Sequence, residues 1–169
     1  NIVYTDKLTI EAEDYTDAQY VLSGSAVLTG TDGDITYSII DNDDKDVQVV
    51  PFTAPADGKY TITYYYQRQS GSEIHFDIFT TSSTNLATLT IDGVTYYETY
   101  YNGKYSNIGK STDDYDSVAV GTWGVKAFPM EIELKAGETI LIGLCDNKGY
   151  AYFDKVVVTA DAEVFEESV

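Results

Sequence analysis

The sequence predicts an all-β domain, a two-sheet antiparallel β-sandwich of the jelly-roll kind. Three observations lead there. Apolar residues recur with period two from end to end, no window carries a helical stripe, and glycine-bearing turns separate the alternating runs. Successive strand side chains point to opposite faces, so this pattern gives each strand one face for a core and one for solvent.

The elements follow in chain order. Leu8, Ile10 and Ala12 alternate with Thr9, Glu11 and Glu13. Residues 23–46 read as a long loop or irregular edge. Pro55-Ala56-Asp57-Gly58 is a turn before Tyr60, Ile62 and Tyr64, which alternate with Thr61 and Thr63. Ile74, Phe76 and Ile78 alternate with His75 and Asp77, and Asp92-Gly93 is a hairpin turn inside another apolar pair. Residues 96–124 read as a second long segment, and long loops on a rigid sandwich are where binding sites usually lie. Met130, Ile132 and Leu134 alternate with Glu131 and Glu133, and Lys135-Ala136-Gly137 leads into the Ile140 strand. The stretch from Phe153 to Val158 is more continuously apolar, as in a strand covered on both faces. One domain is expected over residues 1–160. Residues 161–169 are polar and acidic like a linker, which suggests a module from a longer secreted protein.

Charge narrows the partners. The 169 residues carry 28 acidic and 10 basic side chains, a formal charge of −18. That field repels phosphate backbones and anionic lipid surfaces, so neither nucleic acid nor membrane is expected as a partner. It favours cations, calcium in particular, whose preferred ligands are hard carboxylate oxygens. No run reaches the roughly 18 apolar residues of a membrane span. Cys145 is the single cysteine, which excludes an internal disulfide, and its apolar surroundings suggest a buried, inert thiol.

Two groups of residues could carry chemistry. On a strand, Glu11 and Glu13 would share a face one pleat repeat apart, where their charges repel unless a cation lies between them. The alternative is an exposed polar strand face. The second group is aromatic: 16 tyrosines stand against 6 phenylalanines. A core is served better by phenylalanine, so the surplus points to flat amphipathic surfaces at a wet interface. Such surfaces stack on the C–H faces of pyranose rings. Tyr96, Tyr97, Tyr100, Tyr101 and Tyr105 crowd one segment, and Tyr150 and Tyr152 another, whereas Tyr60, Tyr64 and Tyr66 read as half-buried strand residues. Trp123, the only tryptophan, lies between glycines at a loop or strand edge. The acidic run from Asp41 to Asp46 lacks the later glycine and glutamate of an EF-hand and reads as a solvated loop. His75 is the only histidine and has no nucleophile motif beside it, so no catalytic residues are assigned.

Four segments in order carry a resemblance that covers nearly the whole chain. Ile10-Glu11-Ala12-Glu13-Asp14-Tyr15, the stretch Phe52 to Ile62, Gly121-Thr122-Trp123 followed by Ile132 to Gly137, and Tyr152-Phe153-Asp154-Lys155-Val156 resemble carbohydrate-binding modules of families 6, 35 and 36. The resemblance implies a galactose-binding-like sandwich with a structural calcium held by Glu11, Glu13 and Asp154. It also implies a cleft at the loop end in which Tyr37 and Trp123 pair around a sugar. One position departs from the pattern: Tyr152 stands where the family often has a ligand-binding asparagine. It either adds a third stacking wall or moves binding elsewhere, and the segment with Tyr97 and Tyr101 could cover, extend or replace the cleft. The implied function is non-catalytic: a secreted, monomeric module that holds a parent glycoside hydrolase in cis on a plant cell-wall polysaccharide, xylan first and β-mannan second. The alternative is a calcium-stabilised structural or protein-interaction sandwich without sugar binding.

Overall fold

The computed structural model describes residues 1–41, 47–69, 74–82, 88–102, 119–146 and 150–168, with backbone alone at 74–76, 100–102, 145, 146, 150 and 168. The strands are β1 (Ile2–Thr5), β2 (Lys7–Glu11), β3 (Leu28–Asp32), β4 (Ile35–Asp41), β5 (Val47–Thr53), β6 (Gly58–Arg68) and β7 (Ile74–Thr80). They continue as β8 (Thr88–Ile91), β9 (Val94–Asn102), β10 (Trp123–Ala127), β11 (Ile132–Leu134), β12 (Thr139–Asp146), β13 (Tyr150–Ala160) and β14 (Phe165–Ser168). Two short 3-10 turns, Ala12–Tyr15 and Ala18–Tyr20, follow β2. Among the described residues no helix is long and apolar enough to cross a membrane.

Every ladder is antiparallel, and the strands form the two sheets expected of a sandwich plus a two-stranded ribbon. One sheet runs β10-β6-β13-β4-β3, with β11 also on β6 and β2 also on β13. The other runs β5-β12-β7-β9-β8. The alternation in β6 works as expected: Tyr60, Ile62, Tyr64 and Tyr66 all point into the core. These tyrosines are fully rather than half buried. Burying a hydroxyl is costly unless it is bonded, and Tyr60 donates to the Ala56 carbonyl at 2.6 Å. The facing sheet contributes Val50, Phe52, Ile78, Ile140, Ile142 and Leu144 to the same core. A smaller cluster of Val49, Phe79, Ile91, Tyr96 and Leu141 forms separately, with Tyr20 packed against it.

Three expectations change. The segment 23–46 is not one loop: it contains the β3–β4 hairpin, whose turn has Gly33 at φ 59°, a conformation suited to glycine. Likewise β9 occupies the start of the 96–124 segment, while Tyr105 and Asp113 to Asp116 lie outside the described residues, as does most of the acidic run, residues 42–46. The acidic tail is not a free linker either. β14 pairs with β1, and Phe165, 5% exposed, enters the core beside Phe52 and Tyr60 at ring distances of 6.1 and 6.2 Å. A single apolar anchor outweighs the polar composition around it.

Candidate functional site

The outer face of the seven-stranded sheet carries the candidate site. Ser38, Ile40, Tyr66, Ala151 and Phe153 are buried on its inner side. Pleating therefore sends their neighbours Tyr37, Ile39, Gln67 and Tyr152 outward. The register pairs Leu28 with Ile39, Ile39 with Tyr152, Tyr152 with Gln67, and Gln67 with Trp123. One row thus crosses five strands, close to the end where β4, β6 and β13 enter their loops. Tyr37 lies two residues along from Ile39 on the same face. Opposite it is Gly30, and the Tyr37 ring fills the space a side chain there would take: a Cβ would fall 2.6 Å from its Cζ.

The three aromatic rings touch. Tyr37 and Tyr152 stack with centroids 4.2 Å apart and planes 23° from parallel. Tyr37 and Trp123 are 5.7 Å apart and tilted by 58°. A pyranose between two rings needs two carbon contacts of about 3.5–4.0 Å each, hence a gap of about 7–8 Å. Tyr37 and Trp123 are therefore not two walls of an open slot. Together with Tyr152 they form one continuous, half-exposed aromatic surface.

The indole is held from an unexpected side. Trp123 Nε1–H donates to Asp32 Oδ2 at 2.8 Å. These residues sit on β10 and β3, the two ends of the sheet path, four strand spacings or roughly 19 Å apart across a flat sheet, and Asp32 lies four residues, roughly 13 Å, along β3 from the row that holds Trp123. Their contact means that the sheet curls toward this face, as twisted sheets do. Asp32, Gly30 and Gln67 were not marked by sequence pattern. The Asp32-Gly33 dipeptide, a hairpin signal inside the segment that reads as a loop, is the local sign that could have found them. Tyr97 does not join the cluster: it lies half-buried on β9 of the other sheet, paired with Thr80 and Thr88. Tyr101 is on the same strand, and its side chain is outside the described residues.

The carboxylates arrange themselves differently from the strand expectation. β2 stops at Glu11, Ala12 is fully buried, and Glu13 sits in the following 3-10 turn. Gln48 ties that turn down, its Nε2 donating to the Ala12 and Tyr15 carbonyls at 2.7 and 2.9 Å. Asp154 is the extra residue of a β-bulge, where pairing steps from Phe153–Tyr66 to Lys155–Tyr65. A bulge re-aims a side chain, and here it acts next to the Lys155–Glu11 pair. Burial, then Asp154, then Glu13 push the Glu11 carboxyl above its usual range. Glu13 is raised by burial, then Asp14 and Asp154, and Asp154 by burial against the lowering effect of Lys155. Glu13 Oε2 is buried without a hydrogen-bond partner.

Those features fit a hard divalent cation in donor chemistry: three oxygen-bearing side chains that repel one another, one with an orphan oxygen. Among the described residues, however, no three such side chains are already drawn together as a metal site.

No protein-family profile matches the sequence, and no curated protein does. Solved structures do. The C-terminal family 6 carbohydrate-binding module of LamC, a marine laminarinase of Zobellia galactanivorans, superposes with a TM-score of 0.50 at 18% identity, over 90% of this chain and 98% of that one. The chain has the fold of these carbohydrate-binding modules. A Podospora anserina β-(1,4)-mannanase that joins glycoside hydrolase family 26 to module family 35 gives 0.53 at 17% identity. The match covers 93% of this chain and 28% of the mannanase, so this module fold spans about a quarter of that enzyme. A family 6 module of a Cellvibrio mixtus lichenase, solved with cellotriose, matches at 17% identity and a TM-score of 0.47, over 92% and 98% of the two chains.

Proposed function

We propose that this chain is a non-catalytic carbohydrate-binding module that holds a secreted glycoside hydrolase on a plant cell-wall polysaccharide, xylan first and β-mannan second. The observation that carries the reading is the contiguous Tyr37–Tyr152–Trp123 surface, left half-exposed on a sheet whose other face carries the core. Aromatic rings of this size are expensive to leave in water unless a ligand covers them. A sugar lying across the surface buries its C–H face there and leaves its hydroxyls to the polar rim. Single-module affinity of this kind is modest, about −4 to −8 kcal/mol, and tethering the catalytic domain in cis raises the effective substrate concentration.

Calcium is part of the same reading. Glu11, Glu13 and Asp154 would hold it, and its role would be to neutralise their repulsion and pin the β2 end to the bulge of β13. Affinity electrophoresis across a panel of xylan, mannan and mixed-linkage glucan tests the binding claim. Retardation by at least one glycan is expected, with Trp123→Ala and Tyr152→Ala each weakening it about tenfold or more, against unchanged binding in Tyr4→Ala on the β1–β14 ribbon. No retardation by any glycan would leave a structural or protein-interaction sandwich instead.

A further inference from the structure

We infer that Asp32 is both the positioning residue for Trp123 and the group that selects neutral over acidic sugars at this surface. The proposal deepens the carbohydrate-binding reading and rests on it for its second half. Its basis is the Nε1–H to Oδ2 bond of 2.8 Å, made between the two ends of the sheet path and across the aromatic surface.

Indole has a single donor, so engaging it with a carboxylate fixes the rotation of the ring. Asp32 is itself placed by backbone: it closes β3, pairs with Ile35 across the hairpin, and points to the face shared by Gly30 and Tyr37. It remains exposed. An ionised carboxylate offers about four acceptor sites, and the indole uses one. The others face the edge of the ring, where the hydroxyls of a stacked pyranose emerge. Charge-assisted bonds to vicinal hydroxyls are short and strong. A uronate at the same place would bring a second negative charge beside Asp32. The surface thus takes a neutral, hydroxyl-rich sugar.

The test uses Asp32→Asn, which keeps an acceptor oxygen and removes the charge, and Asp32→Ala, which removes both. Trp123 is the only tryptophan, so intrinsic fluorescence reads its setting directly. In the sugar-free protein, acrylamide quenching should rise about twofold in Asp32→Ala and stay near wild type in Asp32→Asn. Unchanged quenching in Asp32→Ala overturns the positioning role. Titration with xylohexaose, mannohexaose and oligogalacturonate reads the second half. Asp32→Ala should bind the neutral sugars about tenfold more weakly, the size of one charged hydrogen bond. Asp32→Asn should keep neutral binding within about threefold and narrow the preference over oligogalacturonate about tenfold. Wild-type preference retained in Asp32→Asn overturns selection by charge. If wild type binds no sugar at all, the carbohydrate reading falls and selectivity with it, while the quenching result still decides the positioning role.

Discussion

Gly30 has no side chain, and the ring of Tyr37 occupies the volume a methyl group would need, with Cζ and the hydroxyl each 2.6 Å from that point. The atoms in the way are the far end of a half-exposed side chain, so a substitution would move the ring and spare the core. Gly30→Ala should therefore unstack Tyr37 from Tyr152 and weaken glycan binding about tenfold, while the melting temperature falls by no more than about 2 °C. Calorimetric melting beside affinity electrophoresis checks both halves. A large melting loss would mean that Gly30 serves the fold rather than the surface. The same scale explains why the aromatic surplus was informative only in aggregate. Tyr60, Tyr64 and Tyr66 disappear into the core, and Tyr96 joins the smaller cluster, whereas Tyr37 and Tyr152 remain at the surface. Residue type is common to all of them, and facing decides their use.

Strand β13 shows what an element contributes. It pairs with β2, β4 and β6, and its bulge at Asp154 adds a carboxylate beside Glu11 without breaking the ladder. Because the Glu11, Glu13 and Asp154 carboxyls are all raised in the folded chain, they hold protons more tightly there than when unfolded. Their contribution to stability is thus fully present below the ordinary carboxylate range, about pH 4, and is lost as pH rises through the folded values. A bound divalent cation reverses the sign, because only the ionised groups ligate it. Calcium at a hundredfold excess over its dissociation constant should add about 2.7 kcal/mol at pH 7 and almost nothing near pH 4. Thermal melts with calcium and with chelator at both values check this, and Glu13→Gln should remove most of the difference at pH 7. Asp77, buried beside Glu98 and raised for the same physical reason, titrates in the same direction. It is present in both arms of that comparison and cancels. A chelator without effect at pH 7 would count against the calcium.

For the whole molecule, the ribbon of β1 and β14 brings the first and last described segments together, and Phe165 fastens it to the Phe52–Tyr60 corner of the core. Phe165→Ala should cost about 3–5 kcal/mol, the usual range for a buried phenylalanine, and urea melts measure it. A loss under about 1 kcal/mol would restore the segment to the status of a tail. Molecular shape also makes the aromatic surface. Curling of the seven-stranded sheet lets Asp32 on β3 reach Trp123 on β10.

The sequence by itself determined the sandwich, because period-two alternation and turn chemistry are local and each strand writes its own pattern. The family resemblance carried by its motifs also implied Tyr37, Tyr152 and Trp123 at one cleft and Glu11, Glu13 and Asp154 at one ion, because a resemblance supplies positions that residue type alone does not. Tertiary structure alone decided that Tyr37 and Trp123 touch rather than flank a gap, that Glu13 leaves the strand, that residues 165–168 form a strand, and that Asp32 holds the indole. Each of these depends on register, curl or a bulge that relates segments far apart in the chain. Asp32 and Trp123 are 91 residues apart in sequence, and only the curled sheet makes them neighbours.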